Sequence, residues 1–140
     1  MAQGAYTNAY LLLGGTLNVS AFIKSCVPNF NPEIHDATRM GHTGKARAHG
    51  LDDWSFDVEL HQDFANGILD DPLYAIFRTG TCAVVFKPNG STTSTDNPKW
   101  TGTGFIEAYS PLSDGAVGAR MTTRFRIVAN GTVIARAEAD

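Results

Sequence analysis

Between residues 54 and 64 the chain alternates: Trp54, Phe56, Val58, Leu60 and Phe64 fall on one side, and Ser55, Asp57, Glu59, His61 and Asp63 on the other. A period of two belongs to a strand with one buried face. Slipping the register by one residue would expose the aromatics, so this segment must pair in a single register over a core. The same period recurs at Leu17, Val19, Ala21 and Ile23, interrupted by Phe22, and further strands are expected at 81–87, 99–109, 119–129 and 132–138. Turn chemistry separates them: Pro88-Asn89-Gly90 with a polar loop over 91–98, Ser113-Asp114-Gly115, and Asn130-Gly131 as a tight hairpin turn. Gly102 and Gly104 share one strand face, which points to a bend or a close backbone approach.

One segment departs from this period. Leu69, Leu73, Ile76 and Phe77 are spaced for a short helix. Asp70 or Asp71 is the expected N-terminal cap, Pro72 suits the first turn, and Gly80 the C-terminal stop. The expected fold is therefore mostly β, an antiparallel barrel or sandwich with one short flanking α-helix. At 140 residues it is one domain, 1–140, able to fold without a metal or disulfide.

Residues 31–50 show neither period and read as a long loop, the kind that is usually functional. The first eight residues read as a loose N-terminus. The start lacks a basic segment, and Tyr10–Leu13 is too short for a signal or a membrane helix, so a non-secreted chain with no membrane partner is expected. Asn18, Asn89 and Asn130 head glycosylation-type triplets, which without a secretory signal are turn chemistry. Cys26 and Cys82, set among apolar residues, read as buried free thiols.

A net charge of −3 argues against nucleic-acid binding by bulk positive charge. The total conceals an uneven distribution. Residues 52–71 hold seven acids and no Lys or Arg, whereas 120–136 hold Arg120, Arg124, Arg126 and Arg136 without an acid.

Catalytic and metal signatures are missing. His35, His42 and His49 recur every seven residues, wider than compact zinc spacing. There is no nucleophile elbow, C-x-x-C pair or phosphate-binding loop. No cofactor and no enzymatic activity are expected. Asp57, Glu59 and Asp63 have three readings: an acid–base carboxylate pair for glycoside chemistry, a solvated sheet face, or an opposite-charge ladder with Arg124 and Arg126.

The order of features resembles the tail tube (major tail) proteins of siphophages. The likeness rests on TLNVSAFIKSCVPNFNPEIHDATRMGHTGKARAHGLDDWSFDVEL and, more specifically, on FKPNG, NPKWTGTGFIEAYSP, RMTTRFRIVANG and TVIARA. The helix also falls where that family has its single helix. Met40-Gly41 departs from the family's phenylalanine before glycine, and Arg124 and Arg126 from its small polar residues. The resemblance implies a structural virion protein, made in the host cytoplasm and resident in the tail. Subunits would form hexameric rings, stacked into a tube for DNA ejection, meeting terminator, tape-measure and distal-tail proteins, with only transient, non-specific passage of DNA. Gene transfer agent and secretion-system tubes share the architecture. Arg39, Met40, His42, Lys45 and Arg47 are then candidates for an inter-subunit loop, and Asp57, Glu59 and Asp63 for a negative lining of the tube's lumen. The alternatives are a capsid decoration or head–tail connector protein and, lower, a small β-sandwich hydrolase or carbohydrate-binding module. The last needs exposed aromatics at Trp54 and Trp100.

Overall fold

The computed structural model describes residues 8–113 and 116–139. Residues 1–7 of the expected loose N-terminus, and Asp114 and Gly115 of the expected turn, lie outside them. The strands are β1 (Tyr10–Leu13), β2 (Leu17–Asn18), β3 (Ile23–Phe30), β4 (Ile34–Asp36), β5 (Arg47–His49), β6 (Trp54–His61), β7 (Cys82–Lys87), β8 (Lys99–Ser110), β9 (Thr122–Ala129) and β10 (Ala135–Ala137). The single α-helix among the described residues, α1, spans Asp70–Thr79 between β6 and β7.

All pairings between strands are antiparallel, in the order β2-β1-β7-β8-β9-β6-β3, with β10 on β8 and β4-β5 as a separate pair. The main sheet is rolled. β6 and β7 stand three places apart, about 14 Å in a flat sheet, yet the Phe56 and Phe86 rings lie 5.7 Å apart. Phe30 on β3 reaches Trp100 on β8 at 6.3 Å. Inside the roll lie Trp54, Phe56, Val58, Leu60, Phe125 and Ile127, all fully buried. This is the sandwich-like, mostly β architecture that the period of two implied.

The paired glycines sit under Trp54. A Cβ on Gly102 would lie 2.8 Å from Trp54 Cζ2, and one on Gly104 would collide with the Val128 carbonyl across the β8–β9 ladder. Trp54 donates its indole N–H to the Thr132 carbonyl at 3.0 Å. Helix α1 lays Leu73 into the core with Ile76 and Phe77 beside it, and Gly80 ends it at φ +79°.

Several expectations are corrected. β6 ends at His61. Gln62 then turns its amide to the Pro111 carbonyl, which leaves Phe64 exposed outside the sheet. The alternation at 17–23 is not one strand: a 3-10 turn at Ser20–Phe22 separates β2 from the long strand β3. Neither Asp70 nor Asp71 caps α1, whose cap position is Leu69. Asp71 accepts from the Gly67 N–H and Asp70 from the Tyr109 hydroxyl. Asn130-Gly131 makes no hairpin: β10 runs on in the direction of β9 along the same edge of β8, with Thr132 bonded to Thr103 across the break. Asn8, expected to be loose, pairs with Asn89 and Gly90.

Candidate assembly surfaces

The 31–50 segment is a β-hairpin arm, not a structureless loop. Ile34 faces His49, His35 faces Ala48 and Asp36 faces Arg47. Ala37 and Ala46 extend the pairing, and the Thr38 hydroxyl accepts from the Ala46 N–H. Asp36 takes the Thr38 N–H at 2.9 Å, a bond that holds its carboxyl below the usual range. At the base, backbone bonds Asn31–Asp53, Glu33–Leu51 and Gly50–Glu33 lock the exit and return of the chain. None of residues 31–50 is buried, and Met40 at the tip is fully exposed. A two-stranded hairpin is marginal by itself. This one has no fully buried residue.

The arm carries all five sequence candidates. Arg39, Met40, His42 and Lys45 lie in the tip between β4 and β5, and Arg47 opens β5. His42 Nδ1 accepts from the Arg39 N–H, which folds the tip. His35 lies 3.5 Å from Glu33, and His49 3.2 Å from Asp52. The three arm histidines therefore face carboxylates or backbone, and among the described residues no group of three or more potential metal ligands gathers.

The second surface is the sheet border. β3 bonds to β6 on one side only, and no ladder joins β2 to β3 among the described residues, so the roll is open. Val27, at 49% exposure, and Phe30, at 42%, are apolar groups left in water along this edge. A bulge at Lys24 and Pro28, which has no N–H, interrupt the edge.

The third is the outward face of β3, β6, β9 and β8. Register sets Asp57 opposite Arg126 and Glu59 opposite Arg124. Arg124 reaches Glu59 at 3.5 Å, and Arg126 reaches Asp57 at 3.7 Å and Glu107 at 3.6 Å. Lys24 adds a contact to Glu59 at 3.3 Å. Asp63 is not in this row: it lies beyond the end of β6 and accepts from the Ala65 N–H. His61 is on the row, but its Nδ1 is buried without a partner among the described residues. Sequence reasoning missed Lys24 and Glu107. Each sits at a bulge, where one extra residue breaks the period that would have revealed its side.

The aromatic platform required of a carbohydrate site is absent at both tryptophans: Trp54 is buried and Trp100 stacks on Phe86. Cys82 is a buried thiol, pushed up to about 11 by desolvation. Burial and the bond to Asp70 push Tyr109 up to about 12. Among the described residues no helix is long and apolar enough to cross a membrane.

No family model matches the sequence, and no curated protein matches it. Solved structures do match its fold. A chain from the virion of a native gene transfer agent particle aligns over 96% of this chain and 98% of its own, at TM-score 0.69 and 15% identity. A chain from the tail of an empty gene transfer agent particle with C6 symmetry aligns over 99% and 98%, at TM-score 0.65 and 18% identity. The SPP1 tail tube chain aligns over 95% and 78%, at TM-score 0.68 and 12% identity. At these identities the likeness is one of fold, and it runs nearly end to end.

Proposed function

We propose that this chain is a structural subunit of a tail tube in a phage or phage-like particle. Copies close into rings of six, and the rings stack into a hollow cylinder through which DNA passes. The subunit then resides in the virion tail, touches the other tail proteins at the tube ends, and performs no catalysis. The observation that carries this reading is the arm. Twenty residues are held in an ordered hairpin that buries no residue, beside a sheet with an unpaired edge. Such a feature is accounted for when another copy supplies the missing contacts. A head-to-tail contact with a closing rotation gives a ring, and strand addition satisfies the edge. The fold shared with a C6-symmetric tail and with a tail tube supports six-fold stacking.

In this account the arm links one ring to the next, and its basic residues Arg39, Lys45 and Arg47 meet acidic groups of the neighbour. Removing residues 36–47 tests it. The shortened chain should remain folded, with unchanged thermal unfolding of the main sheet, and should sediment as monomers or single rings. Tubes of normal length from this variant would refute the role of the arm.

A further inference from the structure

The geometry points to a masked DNA-binding row: Arg124 and Arg126 are positioned to hold duplex phosphates, and the carboxylates of Asp57, Glu59 and Glu107 keep them from doing so. The inference rests on the tube reading, in which a sheet face lines the channel. It takes that face to be the outward side of β6 and β9, whose charge balance composition alone does not reveal.

Arg124 and Arg126 are two residues apart on β9, so both project from the same face, about 7 Å from each other. They are 66% and 51% exposed, and an open groove of about 310 Å³ runs beside them between Asp57, Ala108 and Ser110. Alone, such a pair repeated around a ring would form a multivalent phosphate clamp, because a duplex presents about one charge per 1.7 Å. DNA would then stick in the channel.

Each guanidinium instead meets a carboxylate of its own sheet. The face holds Lys24, Arg124 and Arg126 against Asp57, Glu59 and Glu107, so the charges cancel. Register supplies two of these acids, and the third, Glu107, sits at the register shift of β8 and reaches Arg126. Bulges characteristically re-aim a side chain, and here two of them each add one charge to the face. A face of zero net charge neither binds nor strongly repels phosphates, and a duplex can slide along it.

The test uses the full chain, displayed densely on beads and, separately, as assembled tubes that are pelleted. Each is mixed with a fluorescent duplex of roughly 30 base pairs at about 50 mM salt. Wild-type protein should leave the duplex in solution. The triple variant Asp57→Asn, Glu59→Gln, Glu107→Gln should retain at least about tenfold more, a gain that disappears near 0.5 M salt. Adding Arg124→Gln and Arg126→Gln should return retention to the wild-type level. The inference is overturned if the triple variant retains no more DNA than wild type, or if the gain survives loss of both arginines. The bead result does not require assembly, so it decides the masking even if a variant forms no tubes. Wild-type protein that never forms tubes would sink the tube reading instead.

Discussion

At the scale of single residues, the molecule depends on close approaches that leave no room for a methyl group. Gly102→Ala places a Cβ against Trp54, and Gly104→Ala places one against the Val128 carbonyl. Overpacking of this kind costs about 1–3 kcal/mol, and Gly104→Ala should cost more because backbone cannot rotate away. Gly44→Ala in the arm, where nothing lies within 4 Å, is the neutral control. Denaturant unfolding monitored by tryptophan fluorescence checks all three. Cys82 supplies a pH test. Its thiol sits at about 11 in the fold against 9.0 for the free group. The native state keeps its proton at pH values where the unfolded chain has lost it, so stability is full below pH 9 and falls as pH climbs towards 11. The melting temperature should drop across that window, and less steeply in Cys82→Ala. The paired glycines were legible in the sequence as a close approach. The indole that approaches was not, since Trp54 arrives from a strand two places away in the sheet. Phe64 was misassigned because Gln62 ends the strand through a bond to Pro111, a partner remote in sequence.

Individual elements differ in how plainly the sequence announces them. β6 is legible because one of its faces is wholly apolar and buried while the other carries polar residues, Asp57 exposed and Glu59 and His61 half-buried. The β4–β5 arm is invisible to the same reasoning because every residue of both strands is exposed, and without a buried face no period is written. The turn at Asn130-Gly131 misled for another reason: the dipeptide favours a reversal, but β8 is long enough to accept β9 and β10 one after the other along one edge. The free edge makes its own prediction. Val27→Lys puts a charge on an already exposed position of β3, so monomer stability should change by no more than about 0.5 kcal/mol. Ring formation, measured by sedimentation velocity, should be lost if β3 pairs with a neighbouring copy.

For the whole molecule, the uneven charge of the sequence resolves into structure. The acidic 52–71 stretch and the basic 120–136 stretch meet on adjacent strands β6 and β9, where Asp57 and Glu59 oppose Arg126 and Arg124. The net charge of −3 therefore says little about the face that matters. The pieces left over, an arm with no buried residue and a rolled sheet that does not close, would find partners in more copies of the same chain if the proposed tube forms. Electron microscopy of the concentrated, purified wild-type protein tests this most directly. Long hollow rods with a central channel and a regular axial repeat are the predicted result. A population that stays monomeric, or stops at single rings, at every concentration and salt would contradict it.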